Sequence, residues 1–203
     1  MDKDLYPTLV LSFFTLSLKY LRFVQAVLKE TIKQGNTHLV ISNDILTDGE
    51  YEEKTNWSDF NVLIPILFDF YQGLELSLKG LLFLIKTDDD LRQYEPDHNL
   101  IKLFDLINQS EKINNITKLI FEKYLIPEKM PQGFLVDFLK TNNLNINQLY
   151  ESLRYPADKK FRSFYKYYEL QYKEGESLQH FNYMVEDIEN LSREIVKLYK
   201  SSY

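Results

Sequence analysis

The chain has 203 residues and a formal net charge of −6. This length predicts one domain with a well-buried core, and the 44% hydrophobic content is that of a globular protein. The negative charge opposes non-specific attraction to phosphate backbones, which argues against a protein that coats duplex DNA. The absence of cysteine excludes disulfides, thiolate metal sites and a cysteine nucleophile.

Composition favours helices over strands. With only 6 Gly and 6 Pro, the chain lacks the turn residues that separate the strands of a β-sandwich. The apolar stretch at residues 9–18 follows acidic residues and is interrupted by Lys19 and Arg22, well before a membrane-spanning length. We therefore expect a cytoplasmic protein without a membrane segment.

Apolar spacing predicts two long helices in the first half of the chain. Residues 8–33 carry one apolar face, and Gly35 and Asn36 end that helix. Residues 38–59 are expected to form a loop with about one turn of structure. Ser58 or Asp59 can cap a second helix that runs to about residue 86. Pro65 either kinks its first turns or lies in the first turn of a helix that begins near Ile64.

The second half predicts one capped helix, three shorter helices and a long terminal helix. Asp97 is the expected N-cap of a helix whose buried stripe comprises Leu100, Leu103, Phe104 and Ile107. Shorter helices are expected at residues 114–124, 133–140 and 145–154, and the last at 177–200. The predicted fold is an all-α, up-and-down helical bundle with additional short helices, formed by a single domain over residues 1–203. In it, the helix of residues 63–86 is central and packs against the first and last helices.

A buried polar centre is predicted on the central helix. Glu75 and Lys79 are four residues apart, with the acid N-terminal, inside the apolar run LELSLKGLL. Buried charges are costly unless they are paired or used, so these two residues and His98, at the start of the next helix, form the candidate site. The alternative is a thin solvated stripe along one side of this helix that carries Gln72, Glu75 and Lys79.

Arg154 and Tyr155 complete the candidate ligand site. Arg154 follows an apolar pattern at a predicted helix end, where it either satisfies terminal carbonyl groups or turns inward to pair with Glu75 or hold an anionic ligand. We predict that both residues lie close to Glu75, Lys79 and His98.

Residues 159–173, KKFRSFYKYYELQYK, alternate aromatic and basic side chains. Five aromatic residues of this segment share one face if it is helical, which favours core packing. The alternative is a stacking surface for single-stranded RNA, in which the phosphates face Lys159, Lys160, Arg162 and Lys166.

Arg92 and His98 are the candidate catalytic pair. A metal-independent endoribonuclease needs a cation for the phosphate and a general base or acid near the ribose 2′-hydroxyl, and Arg and His can fill these roles. No Gly-rich phosphate loop, zinc-binding motif or nucleophile elbow occurs in the sequence, so no metal and no cofactor is predicted.

The run YQGLELSLKGLL, followed after a loop by DHNLIKLFDLI, resembles the HEPN (higher eukaryotes and prokaryotes nucleotide-binding) superfamily. Members of that family carry a Glu and a Lys four residues apart on an apolar helix, and a His-Asn-Leu type start to the next helix. The matching positions, within residues 63–106, are Glu75, Lys79, His98, Asn99 and Leu100. The resemblance implies a bundle of four or five helices.

The same resemblance sets the expected function. Ribonucleases of the family are similar in carrying an Arg-x4–6-His motif late in the bundle, whereas here Arg92 and His98 have that spacing early in the chain. The resemblance thus favours a non-catalytic protein that binds a nucleotide, RNA or a protein partner, as a homodimer, in a defence or toxin–antitoxin context. An endoribonuclease that uses Arg92 and His98, and a structural dimeric interaction protein, are the alternatives.

Overall fold

The structure, a computed structural model, describes residues 5–86, 98–131, 133–171 and 173–203. Over these residues the chain forms eight α-helices and one short 3-10 helix, with no β-strand. The predicted all-α class is confirmed. In chain order the elements are α1 (Leu5–Lys33), α2 (Asp48–Thr55), α3 (Asp59–Ile85), α4 (Leu100–Asn108), α5 (Asn115–Leu125), α6 (Phe134–Asn142), α7 (Ile146–Ser152), the 3-10 helix (Tyr167–Leu170) and α8 (Glu174–Ser202).

Helix α2 occupies part of the segment that was expected to be a loop. Thr47 accepts a hydrogen bond from the backbone of Glu50, and the Glu50 side chain accepts one from the Thr47 backbone, which forms a capping box. The helix has few apolar residues, so its periodicity was weak, but the Thr-x-x-Glu spacing was present in the sequence as a start signal. The loop prediction for this stretch is wrong over these eight residues.

Helix α3 runs without interruption from Asp59 through Pro65 to Ile85. The alternative in which it begins near Ile64 is therefore wrong. Pro65 lacks a backbone N–H and so removes one helical hydrogen bond. Apolar residues on both sides of the proline keep this first part of the helix buried and offset that loss, since Leu63, Ile66 and Leu67 are all buried.

Helix α4 begins at Leu100, and its N-cap is Asn99, whose side chain accepts from the backbone N–H of Lys102 over 3.0 Å. The prediction of Asp97 as the cap is wrong, because the helix starts three residues later; Asp97 itself lies outside the described residues. The predicted buried stripe is confirmed, with all four of its apolar residues inaccessible or nearly so.

The chain divides into two compact units. Unit 1 comprises Met1–Arg22, Asp69–Met130 and Asp187–Tyr203, and unit 2 comprises Phe23–Phe68 and Pro131–Glu186. Helices α1, α3 and α8 each contribute residues to both units. The single domain inferred from the sequence stays a prediction.

In unit 1, α1 packs closely against α3, as expected. The Ser17 hydroxyl donates to the Gly73 carbonyl oxygen over 2.9 Å and lies 2.6 Å from the Ser77 hydroxyl. The Phe14 ring lies directly over the backbone of Gly80, where a β-carbon would come within 2.5 Å of it. Small residues on α3 thus let the large side chains of α1 approach its backbone.

In unit 2, a buried carboxylate joins three parts of the chain. Asp59, at the start of α3, accepts hydrogen bonds from the Asn36 amide at 3.1 Å, the Lys173 backbone N–H at 3.1 Å and the Ser177 hydroxyl at 2.8 Å. Its own backbone N–H donates to Asn36 Oδ1 over 2.6 Å. This network ties the end of α1 and the start of α8 to the start of α3.

Helix α1 between Pro7 and Lys33 is the one helix, within the described ranges, that is long and apolar enough to cross a membrane. Core helices of soluble proteins meet the same criterion. In unit 1 the apolar side of α1 is covered, since Val10, Phe14 and Leu21 are buried. The cytoplasmic location stays a prediction.

Candidate ligand site at Glu75

Glu75 lies on α3 in unit 1 and is buried in an apolar setting. Its side chain is only 2% exposed, and Leu74, Leu76 and Leu78 beside it are buried as well. Removing a carboxylate from water is costly, so its remaining contacts must compensate. The alternative of a thin solvated stripe is wrong for this residue.

Two side chains meet the same oxygen atom of Glu75. Lys79 Nζ donates to Glu75 Oε1 over 2.6 Å, and His98 Nδ1 lies 2.9 Å from that atom. An ionised carboxylate only accepts hydrogen bonds, so we infer that Nδ1 of the imidazole carries the proton. In the neutral ring, Nε2 is then left as an acceptor.

The second oxygen atom of the carboxylate, Glu75 Oε2, is buried and has no hydrogen-bond partner among the described residues. A buried acceptor without a donor costs about 1–3 kcal/mol. A hydrogen bond from an N–H donor to this atom would therefore contribute more free energy than the same hydrogen bond at the surface.

The three side chains form a series from the interior to the surface. Glu75 is buried, Lys79 is 12% exposed and His98 is 80% exposed. We call these three residues the carboxylate site. Rotation of His98 away from Glu75 would lose one hydrogen bond to a charged group, about 1.5–3 kcal/mol, and return the imidazole to water.

The other predicted members of the site lie elsewhere in the chain. Arg154 and Tyr155 belong to unit 2, where both are exposed and the guanidinium carbon lies 5.5 Å from the tyrosine ring centroid. The structure thus brings together Glu75, Lys79 and His98, while the convergence of Arg154 and Tyr155 on them stays a prediction. Arg92 lies outside the described residues, so its pairing with His98 is also untested.

The described part of residues 159–173 does not form the single helix that the core-packing interpretation assumed. It forms a loop with one isolated bridge, Ala157 to Phe164, followed by the 3-10 helix. The prediction of core packing is wrong for its first aromatic residues, since Phe161 is 80% and Phe164 is 74% exposed. All four predicted RNA-binding residues are exposed: Lys159, Lys160, Arg162 and Lys166.

The sequence did not reveal a second polar cluster in unit 1. Asp187 accepts hydrogen bonds from Lys123 Nζ at 2.5 Å and from the Tyr124 hydroxyl at 2.7 Å. The buried Tyr71 hydroxyl donates to the Tyr124 carbonyl oxygen over 3.0 Å. These partners are far apart in sequence, and no local spacing marks them. Burial raises the pKa of the Tyr124 hydroxyl well above its usual value, and Asp187 adds to that rise.

We expect the Tyr71→Phe variant to lose less stability at high pH than the wild type. Burial raises the pKa of Tyr71 in the folded protein, so its contribution is complete below the unfolded pKa near 10 and is lost as pH rises above it. Between pH 10 and 11 the wild type should lose about 1 kcal/mol more than the variant. Urea unfolding at the two pH values measures this difference.

The matched control for that experiment is Ile107→Val, which removes one methyl group from a buried residue of unit 1. It should cost about 1 kcal/mol at every pH and keep the alkaline slope of the wild type. Equal slopes for wild type and Tyr71→Phe would show that Tyr71 does not stay protonated.

Within the described ranges, no three His, Asp or Glu side chains gather in a way that could hold a metal ion. The chain matches no protein-family model, no curated protein and no solved structure. The resemblance to the HEPN superfamily therefore depends on the residues quoted above, of which Glu75, Lys79 and His98 meet in space.

Proposed function

We propose that the protein is a non-catalytic, HEPN-like binding protein that captures a nucleotide at the carboxylate site. The observation that supports this most directly is Glu75 Oε2, a buried acceptor without a partner in the described part of the chain. Purine bases and cytosine carry the exocyclic amino donors that such an atom takes.

Lys79 supplies the second feature that a nucleotide needs. An ammonium group has three donors, and the contact with Glu75 uses one of them. A phosphate oxygen can accept from another, with the strength of a charge-assisted hydrogen bond. The site therefore offers an acceptor for the base and a cation for the phosphate, with the exposed His98 bonded to the same carboxylate.

Glu75→Gln should abolish nucleotide binding while it changes the free energy of unfolding by less than about 1 kcal/mol. Glutamine has the same size, and its carbonyl oxygen can still accept from Lys79, so one hydrogen bond weakens without a cavity. Thermal unfolding with ATP, GTP, CTP and UTP measures both effects. A nucleotide at ten times its Kd should stabilise the wild type by about 1.4 kcal/mol and leave the variant unchanged.

Glu30→Gln is the matched control, because Glu30 also pairs with a lysine one helical turn away, Lys33 at 3.3 Å, but at the surface. It should keep nucleotide binding intact. Losses of about 3–5 kcal/mol in both Glu75→Gln and Lys79→Met, with no nucleotide effect on the wild type, would instead identify a structural ion pair.

RNA cleavage is a second candidate function, and the contact between Glu75 and His98 favours it. A carboxylate that holds Nδ1 leaves Nε2 of an exposed imidazole available as a general base. Cleavage of a labelled RNA that is lost in His98→Ala would assign this function.

Self-association as a homodimer is part of the proposal, and sedimentation at tens of micromolar tests it.

A further inference from the structure

Residues 154–168, which we call the aromatic–basic loop, differ in charge from the rest of the molecule. They carry five basic residues and one acidic residue, a net charge of +4 in a chain of −6. The loop also exposes four large rings to solvent, those of Tyr155, Phe161, Phe164 and Tyr168. Exposed rings grouped with cations mark an interaction surface more often than a packing defect.

The loop is held in one conformation by its own hydrogen bonds. The backbone N–H of Asp158 donates to the Ser163 carbonyl at 3.1 Å, and the Asp158 carboxylate accepts from the Arg162 backbone N–H at 2.8 Å. The Tyr167 hydroxyl closes the base of the loop by bonding to the carbonyl groups of Ser152 and Tyr155. The backbone that carries the exposed rings is therefore held by hydrogen bonds.

The cations of the loop are free to meet an external anion. The ammonium groups of Lys160 and Lys166 have no acidic partner among the described residues. Lys159 and Arg162 approach carboxylates at 3.3 and 4.0 Å, but these pairs lie at the surface, where such contacts contribute little. A polyanion can displace them.

We propose that the aromatic–basic loop binds single-stranded nucleic acid, with bases stacked on the exposed rings and phosphates against the lysine and arginine side chains. Stacking needs bases that are not already paired, which favours a single strand over a duplex. The net negative charge of the chain opposes an extended anionic surface such as a membrane, whereas a single strand can contact the loop alone. The proposal does not depend on the carboxylate site.

Fluorescence anisotropy with a labelled oligouridylate of about 16 nucleotides tests the proposal. Parallel titrations use an oligothymidylate and a duplex of the same length, and vesicles of phosphatidylcholine and phosphatidylserine. Phe161→Ala should weaken binding of the single strands about tenfold, equivalent to about 1.4 kcal/mol. Because Phe161 has a positive φ of 53°, Phe161→Asn is the second variant, since asparagine tolerates that conformation without the ring.

The salt dependence of oligonucleotide binding distinguishes the contribution of the charged side chains from that of base stacking. If Lys160 and Lys166 contact phosphates, replacing both with glutamine should reduce the slope of log affinity against log salt by about 1.4, which is about 0.7 for each contact. The Phe161 variants should keep the slope of the wild type. Replacing the exposed Lys19 and Lys112 with glutamine is the matched charge control, and Phe23→Ala, on exposed α1 surface, is the matched aromatic control.

Four outcomes decide the matter. Loss of affinity in both Phe161 variants, with both controls unchanged, supports the proposal, and a preference between the two single strands identifies the sugar that is recognised. Equal binding of duplex and single strand would overturn it, as would affinity that the loop variants do not change. Binding of vesicles without binding of oligonucleotides would also overturn it and assign the loop to membranes.

Discussion

Asp59→Ala should lower the free energy of unfolding of unit 2 by about 4 kcal/mol. The substitution removes an acceptor that the donors of Asn36, Lys173 and Ser177 share, and the Ser177 hydroxyl is fully buried. Each buried donor that loses its partner costs about 1–3 kcal/mol, and breaking a buried charged network costs 3–5 kcal/mol. The loss should exceed that of any single surface substitution, which is usually within 0.5 kcal/mol.

The only tryptophan, Trp57, lies in unit 2 two residues before Asp59, so its fluorescence in guanidinium chloride reports this transition. Asp59→Asn is the matched variant, because it keeps the shape and one carbonyl oxygen that can accept from the same donors. We expect it to lose less than half as much as Asp59→Ala. Equal losses would show that the charge, and not the accepting oxygen, stabilises the network.

Gly80→Val should destabilise unit 1 by about 3 kcal/mol. A β-carbon at this position would lie 2.5 and 2.6 Å from two carbon atoms of the Phe14 ring, and Phe14 is itself buried. Valine has a better helix propensity than glycine by a few tenths of a kcal/mol, but the cost of overpacking a dense core is larger. The steric cost should therefore exceed the gain in helix propensity, and the variant should be less stable than the wild type. Unfolding followed by circular dichroism measures the loss.

Gly49→Val is the control, since no atom lies within 4 Å of a β-carbon built there. It should change stability by less than about 0.5 kcal/mol. The double variant Gly80→Val with Phe14→Leu should recover at least about 1 kcal/mol of the expected sum, because the smaller side chain vacates the contested space. Strict additivity of the two substitutions would contradict the proposed clash.

Local signals in the sequence predicted most helices to within a few residues. The buried stripe of α4 is an example, because hydrophobic periodicity reports directly on which side of a helix faces the core. Glu75 and Lys79 were also predictable, since four-residue spacing places two side chains together on any helix. The pairing of His98 with Glu75 was predicted from the cost of an unpaired buried charge.

Features that depend on distant residues were not predictable in this way. Asp59 bonds to Asn36, 23 residues earlier, and to Ser177, 118 residues later, and neither spacing has a local signature. The rings of the aromatic–basic loop recur at helical intervals, and core packing was predicted for them on that basis. There, however, the backbone of Asp158 pairs with that of Ser163, and that local pairing prevailed over the periodicity.

The contacts between α1 and α3 run in opposite directions along the two helices, and the two glycine contacts are seven residues apart on each helix. Phe14 sits over Gly80, Ser17 meets Ser77, and Leu21 sits over Gly73. Gly73 and Gly80 are separated by the same number of residues as Phe14 and Leu21. Apolar packing alone would therefore allow the two helices to align in more than one register. The hydroxyl pair between them forms in only one of those alignments, so a slide by seven residues would separate the buried Ser17 and Ser77 hydroxyl groups. The two serines thus specify the alignment of the helices, while the neighbouring apolar side chains hold the helices together.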